Sequence, residues 1–172
     1  MPYRRLPVWL GNTLEIFGLF FGLFLILFYS QFPFPLQILV ILVAWFCFWY
    51  FSHCLAHYVV GKAMGIKFKY YFVGKSSITK LNSPLNPIFK FFPVLGIKVD
   101  PETLKELSKN KKFVFYSSGA LASMLTPTIC LIPAWQFGNL IFGLMLLLTI
   151  GNILLTLILS PRVGDLYRAR KA

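Results

Sequence analysis

Leu36-Gln-Ile-Leu-Val-Ile-Leu-Val-Ala-Trp45-Phe-Cys-Phe-Trp-Tyr-Phe-Ser-His53-Cys-Leu-Ala-His57-Tyr-Val-Val60 runs without a formal charge from end to end. About 20 predominantly apolar residues are enough to cross a bilayer as a helix, so this stretch spans one. Three more runs reach similar length: about 12–29 before it, and 113–134 and 137–159 after it. A chain of 172 residues with 58% hydrophobic residues cannot hide that much apolar surface in a soluble core. The expected fold is a single all-α membrane domain, 1–172, of about four transmembrane helices. Pro33 and Pro35 make the turn between the first two spans, and Pro133 to Gly138 the turn between the last two.

Charge is segregated as lipid would require. All 17 Lys and Arg residues fall in the N-terminal tail, in the 61–112 loop or in the tail after Ser160. With four spans these three regions share one side, and the excess of cations assigns that side, with both termini, to the cytoplasm. A net charge of +12 would suggest nucleic acid in a soluble protein. Here the cations flank apolar runs, so membrane lipid is the expected partner and nucleic acid is not. Cys47, Cys54 and Cys130 all lie in apolar runs, which argues against a disulfide framework. Arg4 and Arg5 before an apolar run resemble the start of a signal peptide, but no small-x-small cleavage site follows, and the run reads as a retained first helix.

The 61–112 loop has structure of its own. Ile66 to Val73 alternates apolar and basic residues in its first part, like a strand, and Phe91 to Val99 offers a second strand beyond the turn-rich stretch Asn82 to Pro87. Asp100-Pro101-Glu102 reads as N-cap, first helical residue and acidic first turn of a short amphipathic helix reaching about Lys109. Within the spans, Glu15 is the one acid. An intramembrane carboxylate is a functional candidate by default, but Asn12 and Glu15 stand at cap and third-residue spacing, and a capping-box-like helix start is the expected role.

His53 and His57, the only histidines, stand at i and i+4 and so share one helical face. Imidazoles at that spacing can bind one zinc ion; the alternative is that they hydrogen-bond backbone carbonyls or lie among lipid headgroups. Asp165, just after the last span, falls at the same depth in a four-span topology and would complete a His2Asp set with an open fourth position. Its alternative role is an ion pair with Arg162 or Arg168.

These residues resemble the site-2 protease family of intramembrane zinc metalloproteases, over the second to fourth spans and the loop between them. His53-x-x-x-His57 corresponds to the family's H-E-x-x-H, Gly164-Asp165 to its Asp-Gly ligand segment, and Ser118-Gly-Ala-Leu-Ala-Ser123 to its small-residue segment, where Gly119 and Ser123 would permit close helix packing. The resemblance implies hydrolysis of peptide bonds in membrane-embedded substrates, one Zn2+ on His53, His57 and Asp165, and an extended loop segment that presents the substrate. It also has departures. Cys54 stands where the family has the glutamate that acts as general base, and a thiol is a poor substitute. Gly164 precedes the aspartate instead of following it, and Asn152 lies too far upstream for the family's Asn-x-x-Pro run. A chain lacking the base is expected to be either a divergent peptidase or a catalytically inactive pseudoprotease that binds transmembrane helices or a partner protein. Cys54 itself is expected to be a buried, inert residue, since joining both histidines on one ion would require distortion of the helix. A metal-free structural or transport protein is the third class, with little in the sequence to favour ion coupling.

Overall fold

The computed structural model describes residues 4–34, 36–75 and 93–172. Among the described residues four helical segments are long and apolar enough to cross a membrane, which makes this a multi-pass membrane protein. The first is α1 (Val8–Phe28), preceded by a short strand, β1 (Arg4–Leu6). The second is α2 (Leu36–Ala63). After it come β2 (Phe68–Lys75) and β3 (Pro93–Val99), then a short helix, α3 (Pro101–Lys105). The third span is α4 (Lys109–Leu125) continued by a 3-10 stretch and the brief α5 (Leu131–Ala134); the fourth is α6 (Asn139–Val163), with the tail helix α7 (Asp165–Lys171) behind it.

The spans extend beyond their expected limits at the charged end. α1 starts at Val8, because Pro7 is extended and supplies the helix entry without a side-chain cap. Glu15 therefore lies two turns inside the helix, and the expected capping role is wrong. Asn12 accepts a hydrogen bond from the Tyr71 hydroxyl at 2.8 Å instead. α2 closes with a Schellman motif: Gly65, at φ +83°, lets Ile66 N–H reach the Gly61 carbonyl at 2.9 Å while its own N–H reaches Lys62 at 3.1 Å. This turn sends the chain directly into β2. The third span is apolar throughout but not uniformly α-helical. Pro127 has no N–H to give the ladder, and residues 126–130 tighten into a 3-10 turn. The Thr126 hydroxyl lies 3.0 Å from the Phe48 carbonyl, the Ser52 hydroxyl and the Ala122 carbonyl, so the break is satisfied within protein.

The strands form one antiparallel sheet in the order β1-β2-β3, with Arg5 opposite Phe72 and Phe72 opposite Gly96. Pairing of the N-terminal tail with the loop, and packing of α7 against α4, put the three cationic regions at one end of the bundle. α3 forms as expected, with Asp100 accepting from Glu102 N–H and Pro101 in the first turn, but stops at Lys105. The turn-rich stretch Asn82 to Pro87, and Phe91 and Phe92 of the expected second strand, lie outside the described residues.

Nearer the other end, Leu25, Ile41, Ala44, Trp45, Cys130, Ala134 and Met145 form the core where α1, α2, α5 and α6 meet. Only 11% of the most apolar window of α6 is buried, with Leu140, Leu147 and Leu154 standing free, which in water would be an aggregation surface and in lipid is not. Two polar contacts hold α6 to its neighbours: Trp45 Nε1 donates to Thr149 Oγ1 at 3.0 Å, and Asn152 Nδ2 to the Ser123 carbonyl at 2.9 Å. Such contacts carry association where no hydrophobic drive exists between helices in lipid.

Candidate metal centre

At the charged end of α2, His53 and His57 project one turn apart, their ring centroids 5.1 Å from each other. α6 ends at Gly164, whose N–H returns to the Ser160 carbonyl at 2.9 Å, and the chain restarts as α7 with Asp165 in its first turn. Ser160 Oγ accepts from Leu166 N–H at 3.1 Å and buried Ala169 helps seat α7. Asp165 Oδ2 thereby comes 3.0 Å from His53 Nε2 and 3.4 Å from His57 Nε2. Ligand atoms of all three residues lie within 4.8 Å of one another, so the group can hold a metal ion. Two donors bound at about 2.0–2.1 Å in a tetrahedral shell stand roughly 3.3–3.4 Å apart, close to the two separations from Asp165.

The surroundings of His57 fix which nitrogen faces this point. His57 is buried, and its Nδ1 lies 2.9 Å from the Phe115 carbonyl, which can only accept, so the proton belongs on Nδ1. The Ser118 hydroxyl, 3.3 Å from the same nitrogen, donates to that carbonyl at 2.8 Å. A neutral His57 then turns the Nε2 lone pair toward a carboxylate oxygen, an arrangement that needs a cation between them or a second proton on the ring. Gly119 makes the approach possible, since a Cβ there would fall 2.3 Å from His57 Nε2.

Asp165 Oδ2 faces the histidines, while Oδ1 makes the alternative ion pair with Arg168 at 3.5 Å. Burial alone would raise its pKa, but hydrogen bonds and charge interactions with His53 and His57 outweigh this and hold the carboxyl well below the usual carboxylate range.

Cys54 is buried and does not join the three-residue group. Its thiol donates to the Leu95 carbonyl of β3 at 3.0 Å, and one turn away Tyr50 donates to the Pro93 carbonyl at 3.0 Å. These two contacts lay β3 along α2 beside the histidines. Sequence reasoning missed the Phe115 carbonyl, which carries no side-chain signature, and the proximity of Glu15 to Cys54, which depends on how α1 packs. No family model, curated protein or solved structure matches the chain.

Proposed function

We propose that this chain is a membrane-embedded metallopeptidase of the site-2 protease type, with His53, His57 and Asp165 holding one zinc ion near the cytoplasmic face. The observation that carries the reading is the convergence of two imidazoles and a carboxylate from two separate helices, with ligand atoms within 4.8 Å of one another. Two imidazoles and one carboxylate suit zinc, and three protein ligands leave a coordination position open, the arrangement of a catalytic site. A zinc ion held by these residues would supply Lewis-acid chemistry.

The chain's own residues do the positioning. The Phe115 carbonyl orients His57, Arg168 holds the outer oxygen of Asp165, and the bundle keeps the site at the edge of the apolar layer. β3, held to α2 by Tyr50 and Cys54, is the extended segment beside which a substrate's unwound transmembrane segment would lie. Its orientation toward the cytoplasm rests on the gathering of lysines and arginines at this end. A second reading, an inactive pseudoprotease that retains the scaffold to bind transmembrane helices, is favoured by Cys54, whose thiol is committed to the Leu95 carbonyl where the family has a base.

Zinc per chain, measured by elemental mass spectrometry on detergent-purified protein, tests the site. One zinc is expected in the natural chain, lost in His53→Ala and in Asp165→Ala. Well-folded protein without zinc would refute the metallopeptidase reading. Cleavage of a transmembrane substrate, abolished by His57→Ala, separates the peptidase from the pseudoprotease.

A further inference from the structure

Glu15 is fully buried in a span, the costliest place for a carboxyl group, and has no part in the metal centre. Among the described residues its Oε1 is the only buried side-chain nitrogen or oxygen without a hydrogen-bond partner. The other oxygen, Oε2, lies 3.2 Å from the Tyr71 hydroxyl, whose single proton it shares with Asn12 at 2.8 Å. Tyr71 is itself completely buried, in a seat opened by Gly11, where a Cβ would fall 2.2 Å from its ring. Two helices and a strand are thus shaped to hold one carboxylate while leaving one oxygen unpaired. A buried polar atom left in that state pays its full desolvation cost, which core packing alone gives no reason to retain.

The side chain beside Glu15 is Cys54, the residue at the position of the family's missing glutamate. α1 and α2 run antiparallel in contact, Gly22 facing Cys47 and Gly18 facing Phe51, and the same ladder brings position 15 opposite position 54. Cys54 is small and lies against the Glu15 carboxyl, and its thiol proton goes to the Leu95 carbonyl at 3.0 Å. Along α2, residue 54 is about 100° from His53 and 60° from His57, on the flank of the ligand face. A glutamate at 54 would fill this gap and set a second carboxylate against Glu15.

We propose that Glu15 supplies, from α1, the proton-accepting carboxylate that α2 lacks at position 54, acting through one water admitted beside the Cys54 side chain. This rests on the peptidase reading above. As the attacking water's oxygen bonds to the peptide carbonyl carbon, its proton passes through the bridging water to Glu15; the same proton then goes to the departing amine nitrogen as the C–N bond breaks. The carboxylate ends each cycle as it began. Among the described residues the other titratable groups facing it are Cys54 and Tyr50 from α2 and Tyr71 from β2.

Glu15→Gln preserves shape and removes the base. It is expected to retain one zinc and the natural melting temperature while cleavage falls about 10²–10⁴-fold. The double variant Glu15→Gln, Cys54→Glu is expected to recover cleavage, and Glu15→Asp, which withdraws the carboxylate by one methylene, to lose it in part. A readout independent of cleavage is the pH midpoint of the visible spectrum of cobalt(II)-loaded protein. Glu15→Gln is expected to move it by about one unit or more, and Glu106→Gln, at an exposed acid outside the spans, to leave it in place. Normal cleavage by zinc-loaded Glu15→Gln overturns the inference and leaves the metallopeptidase standing. If the natural chain binds zinc but cleaves nothing, an unmoved cobalt midpoint overturns it too. A natural chain without metal removes both readings together.

Discussion

Gly119→Ala adds one methyl group where α4 crosses the two histidines. The new Cβ would stand 2.3 Å from His57 Nε2, 2.6 Å from its Cδ2 and 2.9 Å from the backbone oxygen of His53. Ordinary contact begins at 3.4 Å, so the ring must retreat by about 1 Å or the helices must part. Part of this is offset, since alanine favours a helix over glycine by about 1 kcal/mol, against about 1–3 kcal/mol for overpacking. Metal-free stability is therefore expected to fall by no more than about 2 kcal/mol. The metal site has no such compensation, because ligand positions tolerate only about 0.2 Å and the displacement is several times that. Zinc affinity is expected to drop at least 10-fold and about 100-fold if the ring leaves altogether, about 1.4–2.7 kcal/mol. Competition against a chelator of known affinity measures the loss of zinc affinity, and thermal unfolding in detergent with the chelator in excess measures the loss of metal-free stability. A variant that binds zinc within twofold of the natural chain would show that Gly119 does not set the position of His57.

Other substitutions test neighbouring parts of the same geometry. Ser118→Ala should change zinc affinity less than threefold, about 0.6 kcal/mol, in the chelator competition, since the Phe115 carbonyl still holds His57 Nδ1 at 2.9 Å. Thr149→Val removes the acceptor of the Trp45 indole at 3.0 Å and should cost about 0.6–1.7 kcal/mol in detergent unfolding, with zinc stoichiometry unchanged. In metal-free protein the depressed pKa of Asp165 predicts a stability contribution fully present above the unfolded value of about 3.9 and lost as pH falls through the lower folded value. The melting midpoint of the natural chain should thus fall more steeply below about pH 4 than that of Asp165→Asn.

The spans were legible because hydropathy over some 20 residues reports the solvent directly, whatever the helices pack against. The histidine pair was legible because i,i+4 spacing fixes a shared face, and Asp165 because equal depth follows from span count. Features set by contact between distant segments were not. β1 is three residues with two charges and acquires its conformation only by pairing with Val73 to Tyr71. Glu15 has the spacing of a cap relative to Asn12, and only the earlier helix start at Val8, behind an extended Pro7, places it in the interior. Its neighbours there, Tyr71 and Cys54, come from the loop and from another span. The interruption at 126–130 was marked by Pro127 in the sequence, but hydropathy averages over such a residue.

Asp165, the third member of the candidate metal centre, is carried by elements with few polar ties to the rest of the bundle. α6 is largely lipid-facing and is tied inward mainly through Thr149 and Asn152, and α7 is only seven residues long, too short to be stable as an isolated helix. Asp165 thus sits on an element with little stability of its own, opposite two histidines on a well-packed span. A cation shared by the three would tie the C-terminal helix to α2, and the binding energy would appear as ordering of α7. Without it, the carboxylate faces a nitrogen whose proton is already committed to Phe115. If the three residues hold zinc as proposed, its binding and the docking of the C-terminal helix are coupled, and a substitution that loosens α7, such as Ala169→Asp beneath its buried face, should lower zinc affinity without touching a ligand.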